Sequence, residues 1–241
     1  MKNNTIIKAS ERGFADHGWL QSFHSFSFAN YYDAEKINFG ALRVLNDDTV
    51  AEGMGFGTHP HENMEIISIP LEGDLEHKDS IGNVTVIKNG DIQVMSAGTG
   101  VRHSEYNRNK DAAVKFLQIW IIPNKKDVQP RYDQITLNTA DRKNKLQQII
   151  SPENNEGGMW IHQDAWFNLG KFDAGKSVEY NMHKTIHGLY AFILNGEFSL
   201  NDKILQRRDA IGITETETIH IEALTDEAEI LLIEVPMTFL N

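Results

Sequence analysis

The chain has 241 residues, a formal net charge of −11 and no cysteine. Its length suits one large domain or two halves, and either can bury a real core. The acidic balance argues against nucleic-acid partners, and basic residues form no cluster beyond short pairs such as Lys125-Lys126 and Arg207-Arg208. The lack of cysteine excludes a disulfide scaffold, a thiolate zinc site, an iron–sulfur cluster and a cysteine nucleophile. Any metal must therefore be held by histidine and carboxylate.

The first residues, "MKNNTIIKASERG", contain no apolar stretch of signal-peptide length. No run approaches the ~18 apolar residues of a membrane-spanning helix. Cytoplasm, with no membrane partner, is the expectation.

Along the chain the signals are mostly short strands. "HSFSFANYY" alternates Phe26 and Phe28 with Ser25 and Ser27, a half-buried strand pattern. "MEIISIPLEGDLEH" reads as a strand, a Glu72-Gly73 turn and a second strand. The strands "VTVI" and "IQVM" follow, separated by an Asn89-Gly90 turn. "AAVKFLQIWIIP" is a long apolar strand ended by Pro123. "DAAVKF" and "ADRKNKLQQII" are candidates for short helical turns. Such dense turn spacing predicts an all-β barrel or sandwich.

The second half repeats the theme. "LYAFILNGEFSLNDKIL" matches "EIISIPLEGDLEHKDSI" when Gly196 is laid over Gly73. "RRDAIGI" matches "NGDIQVM", with Asp209 over Asp91. This predicts a tandem duplication of a small barrel. The expected division is residues 1–135 and 136–241, and the polar stretch Ser151 to Gly158 reads as a linker or surface loop.

Two short motifs carry chemistry. In "GFGTHPHENMEI", His59 and His61 are one residue apart, so on a strand both point to one face. Pro60 between them fixes φ and stiffens that pair. In "SAGTGVRHSEYN", His103 and Glu105 have the same spacing. Either pair alone is usually a solvated strand face. Together, on neighbouring strands, they could converge as three imidazoles and a carboxylate, a donor set for Fe(II), Mn, Ni, Cu or Zn. Glu65 is a reserve carboxylate. Glu62 and His77 are expected to be ordinary exposed residues. His17 and His24 are expected to anchor the N-terminal segment or line a pocket mouth.

The first barrel's motifs resemble those of cupins: Gly53, His59, His61, Glu65 and Gly73, then Gly90, Gly98, His103 and Asn107. The second motif departs from the usual pattern. Ser96 stands where proline is usual, and Gly98 to His103 is two residues too long. Those departures, with "DHGWLQSFHSFSFANYYD", "FGALRVLNDD", "GFGTHPHENMEIISIPLEGDLEHKDSIGN" and "GDIQVMSAGTGVRHSEYN", closely resemble the pirin family of bicupins. The detailed likeness covers about residues 8–122.

The resemblance implies two tandem jelly-roll cupin barrels. The first would carry one divalent transition metal on His59, His61, His103 and Glu105. Fe(II) is favoured, with Ni, Cu, Mn, Co and Zn as alternatives. The second would be a degenerate barrel without a metal site. Counting back from Gly196 puts Met182 and Lys184 where the histidine pair sits, with His183 between them. His187 lies four residues further on, and His220 and Glu222 fall near the His103–Glu105 position. The activity implied is that of a dioxygenase, a quercetin 2,3-dioxygenase that opens the flavonol ring with O₂ and releases CO. Glu105 would take the substrate's proton, and the partners are a flavonol-like aromatic and O₂. The alternative is an iron-containing, redox-sensing binding protein with a protein partner. An apolar cavity sized for a three-ring molecule would favour turnover.

Overall fold

The computed structural model describes residues 4–238, and they are almost entirely β. The first half contains β1 (Thr5–Ile7), β2 (Gly13–Asp16), β3 (Leu20–His24), β4 (Leu42–Val50), β5 (Gly55–His61) and β6 (Glu65–Glu72). It continues with β7 (Leu75–Asp79), β8 (Val84–Ile87), β9 (Asp91–Ser96), β10 (Val101–Asn107), β11 (Val114–Ile121) and β12 (Arg131–Thr136). The second half contains β13 (Leu146–Ser151), β14 (Met159–Trp160), β15 (Trp166–Phe172), β16 (Ser177–Asn181) and β17 (His187–Asn195). It ends with β18 (Phe198–Leu200), β19 (Lys203–Leu205), β20 (Ala210–Thr214), β21 (Thr218–Ala223) and β22 (Ala228–Pro236). Among the described residues no helix is long and apolar enough to cross a membrane.

Each half is a seven-stranded sheet facing a four-stranded one. The order is β12-β9-β6-β11-β4-β3-β2 over β5-β10-β7-β8 in the first. It is β1-β20-β17-β22-β15-β13-β14 over β16-β21-β18-β19 in the second. The run β9-β6-β11-β4 reappears as β20-β17-β22-β15, and β5-β10-β7-β8 as β16-β21-β18-β19. The duplication read in the sequence is thus a duplication of strand order, and the fold is a bicupin.

The two large sheets meet back to back. Leu45, Ile67, Leu117 and Ile119 of the first share one core with Phe167, Tyr190, Leu231 and Ile233 of the second. Other contacts tie the halves further. Strand β1 joins the second half's sheet beside β20. Lys8 Nζ reaches Asp209 at 2.7 Å, and Arg208 Nε reaches Asp47 at 2.7 Å. Phe39 lies over Gly188 and Gly212, where a Cβ would come within 2.6 and 2.7 Å of its ring. Only glycine admits the ring at those two positions.

Three local expectations are corrected. The strand expected across Phe26 and Phe28 ends at His24. The following segment is a loop wedged between two surfaces, with Phe26 in the inter-barrel core and Phe28 edge-on to Trp120. The stretch "DAAVKF" forms no helical turn, because Val114 already begins β11; the turn at Thr139–Arg142 is present. Ser151 to Gly158 connects β13 to β14 inside the second half's sheet, and so does not link the barrels.

Strand alternation also decides where Glu65 points. It shares a face of β6 with Ile67 and Ile69, both in the inter-barrel core, while Ile66 and Ser68 face the barrel interior. Its carboxylate accepts a hydrogen bond from Ser96 Oγ at 2.7 Å. Burial raises its pKa to about 7, against the pull of Ser96 and Arg131. A folded-state pKa above the unfolded one favours folding only while the group is protonated. The resulting penalty is absent in acid, grows as pH rises from the ordinary carboxylate range, and is complete above 7. It amounts to about 3 kcal/mol at full ionisation. Glu65→Gln is therefore expected to raise the melting temperature clearly at pH 8 and much less at pH 5. An equal shift at both pH values would contradict this placement.

Candidate functional site

Strands β5 and β10 are antiparallel neighbours, and their register sets His103 directly opposite His59. The pairing of His61 with Val101 brings the second imidazole to the same end. Ring centroids are 4.4 Å apart for His59–His103 and 4.8 Å for both His59–His61 and His61–His103. One nitrogen from each ring falls within 4.8 Å of the others. A second triad shares His103 and adds His77 and Glu105, again within 4.8 Å.

His77 is a correction to the sequence reading. It is fully buried, not exposed, because Leu75, His77 and Asp79 occupy the inward face of β7. The register with β10 sets it opposite Glu105. The hydrogen bonds then assign a chain of tautomers. Asp79 Oδ2 accepts from His77 Nε2 at 3.0 Å, which leaves His77 Nδ1 to accept from His103 Nδ1 at 3.5 Å. His103 Nε2 is left with its lone pair, buried and without a partner. His59 Nδ1 donates to the Gly57 carbonyl at 2.8 Å, which likewise frees Nε2. A carboxylate–histidine relay behind a ligating imidazole is how metal sites fix ring orientation.

The electrostatics agree with a cation as the missing partner. Burial and the neighbouring histidines push His103 down to about 2, and burial with His59 pushes His61 down to about 4. Both rings are neutral near pH 7, with lone pairs available. Burial pushes Glu105 up to about 7, opposed by its hydrogen bonds. Ser68 Oγ donates to Glu105 Oε1 at 3.1 Å and Gln118 Nε2 to Oε2 at 2.7 Å. An unpartnered buried nitrogen, neutral imidazoles and a fixed carboxylate together fit a first-row divalent metal.

The facing sheet supplies the polar groups that hold Glu105. Cross-strand pairing aligns His24, Asn46, Gln118, Ser68 and Gln93 in one row across five strands. All five are buried. Beside this row opens a cavity of about 580 Å³. His59, Glu105, Gln118 and Trp120 line one side, with Trp19, Phe28, Tyr31 and Phe56 among its walls. His17 and His24 both line it as well. His61 packs edge-on against Trp120 at 4.9 Å.

The remaining candidates lie elsewhere. Glu65 is outside both triads and Glu62 is exposed. In the second half the turn glycines and the register give a true correspondence. Leu75 and Phe198 each lie two residues after the turn glycine, and pair with Asn107 and Ala223. His77, Glu105 and His103 therefore correspond to Leu200, Ile221 and Ile219, all in one apolar core. Tyr180, opposite Ile219, takes the place of His59, and not Met182 as the fixed offset predicts. The offset misses by two because the connection into β17 is two residues longer than the one into β6: Met182 to Gly188 spans what His61 to Glu65 spans in the first half. Asn46 corresponds to Asn168, but Gln118 and Ser68 become Leu232 and Ala191. His220 faces outward. His183 and His187 both reach buried Glu234, at 2.9 and 3.1 Å, and Tyr180 Oη donates to it at 2.8 Å.

Comparison with known proteins agrees with this architecture. Residues 7–121 match the Pirin family, and residues 148–235 match the quercetinase C-terminal cupin domain. A protein named quercetin 2,3-dioxygenase from Escherichia coli strain K12 is 41% identical over 233 residues, covering 96% of this chain and 98% of its own. A pirin-like protein from Caulobacter vibrioides is 39% identical, covering 92% and 95%. The crystal structure of the bacterial pirin YhhW from E. coli, in complex with nickel(II), superposes with a TM-score of 0.92 at 38% identity. That alignment covers 97% of this chain and 99% of the other. The chain belongs to the pirin family of bicupins.

Proposed function

We propose that this protein is a metal-dependent dioxygenase acting on a flavonol-like aromatic, a quercetin 2,3-dioxygenase that opens the central ring with O₂ and releases CO. The observation that carries the reading is the convergence of His59, His61 and His103, with buried Glu105 in a second triad that shares His103, beside an open, aromatic-walled cavity that His59 and Glu105 line. His59, His61 and His103 would hold one divalent metal, Fe(II) in this reading, with Glu105 as the carboxylate beside His103. Such a metal would supply Lewis acidity, lowering the pKa of a substrate hydroxyl.

The chain's own residues supply the rest. Glu105 Oε1 or Oε2 takes the hydroxyl proton, as a buried carboxylate within reach of the substrate's hydroxyl can. Ser68 and Gln118 fix its orientation from the opposite sheet. Trp19, Phe56 and Trp120 offer flat faces that stack a planar substrate and keep water from it. The Asp79–His77 relay holds His103 in the tautomer that leaves Nε2 free. An open cavity of this volume suits a three-ring substrate, and supports turnover over a closed binding protein.

Metal-loaded protein is expected to consume quercetin aerobically with stoichiometric CO, and the His59→Ala/His61→Ala variant is expected to do neither. Metal uptake without turnover on any first-row metal would sink the dioxygenase reading. Competition with a chelator tests the relay separately. His77→Phe, which removes the acceptor for His103 Nδ1, is expected to weaken metal binding by about 10–100-fold. Unchanged affinity would show that His77 has no part in holding His103.

A further inference from the structure

The cavity has a second polar end that the proton transfer described above does not use. In its wall β3 and β4 lie side by side, with Ser22 opposite Asp48 and His24 opposite Asn46. All four side chains are buried and all line the cavity. Ser22 Oγ donates to Asp48 Oδ1. Asp48 Oδ2 accepts no hydrogen bond from the described residues, and Asp48 forms no ion pair with any lysine or arginine among them. Asn46 Oδ1 and His24 Nδ1 are buried with no hydrogen-bond partner among the described residues.

This end is therefore rich in acceptors, and no lysine or arginine lines it. Without a cation beside it, burial pushes Asp48 up to about 7 against the hydrogen bond from Ser22. A buried acceptor left unpaired is costly, so the complement must bring donors. An anionic ligand would set like charge against the ionised form of Asp48. Phenolic hydroxyl groups fit. Two acceptors on alternate residues of one strand, Asn46 and Asp48, can take two donors on adjacent ring carbons. The position fits as well. Asn46 neighbours Gln118, which holds Glu105, and His24 lies one strand further out. Strand spacing puts this end roughly 5–10 Å from the Glu105 end, the reach of a second ring of the same molecule.

We propose that Asp48 and Asn46 are the specificity-determining residues of this pocket, and that together they read the number of adjacent hydroxyl groups on the substrate's second ring. This rests on the cavity being the substrate pocket, and it assigns the specificity of that pocket to β3 and β4.

Three flavonols test it, because they share the metal-facing end and differ only in one ring. Quercetin has two vicinal hydroxyls there, kaempferol one and galangin none. Affinity is measured by tryptophan fluorescence on the metal-loaded protein under nitrogen, so that nothing is cleaved. The expected result is a loss of about tenfold per hydroxyl removed, a ladder that Asp48→Asn and Asn46→Leu flatten while metal content stays constant. Equal affinities in the unaltered protein, or a full ladder in both variants, would overturn the proposal. Admitting air then separates the two readings. Discrimination without cleavage supports this recognition site and contradicts the dioxygenase, whereas cleavage without discrimination does the reverse.

Discussion

A row of buried polar side chains crosses the interior of the first barrel, and the site depends on how that row is satisfied. His24, Asn46, Gln118, Ser68 and Gln93 occupy positions that a barrel normally fills with aliphatic groups. A buried polar atom must find a partner or leave the fold weakened. Ser68 and Gln118 find theirs in Glu105, from the facing sheet. His24 and Asn46 have no protein partner for one atom each, and they face open volume. The barrel interior is thus divided. Leu20, Val50, Leu75 and Phe116 form one apolar cluster, and Ile66, Met95, Ala97 and Val101 another.

The second barrel shows what the same strand order does without that row. Most of its interior is one cluster of aliphatic and aromatic residues, with Asn168 kept at the place of Asn46 and Glu234 held by Tyr180, His183 and His187. Ile219, Ile221 and Leu200 stand at the places of His103, Glu105 and His77, and all three are buried in that cluster. Duplication supplied two frames with equal topology. One frame spends core volume on polar groups and a cavity, while the other is packed and lends its large sheet to the core between them. Its remaining histidines, His183 and His187, are occupied by Glu234.

Much of this was legible in the sequence because strands have a period of two. His59 with His61, and His103 with Glu105, must each share a face, and the turn glycines Gly73 and Gly196 mark the repeat. His77 was missed, although its signal was present. Leu75, His77 and Asp79 alternate with Glu76 and Lys78, and an inward Leu75 carries the other two inward with it. The correspondence between halves was misread by two residues because a constant offset does not see that the connection from β16 to β17 is two residues longer than that from β5 to β6. The pairing of Ser68 and Gln118 with Glu105 joins residues 37 and 13 positions apart across two sheets, and nothing local in the sequence announces it.

The most direct test of the account is where a metal sits. Crystals grown with cobalt(II) and measured at its absorption edge would give an anomalous peak wherever the ion binds. The account predicts one strong peak among His59, His61 and His103, on the cavity side facing Glu105. A peak at Glu234, or no peak at the three histidines, would contradict it.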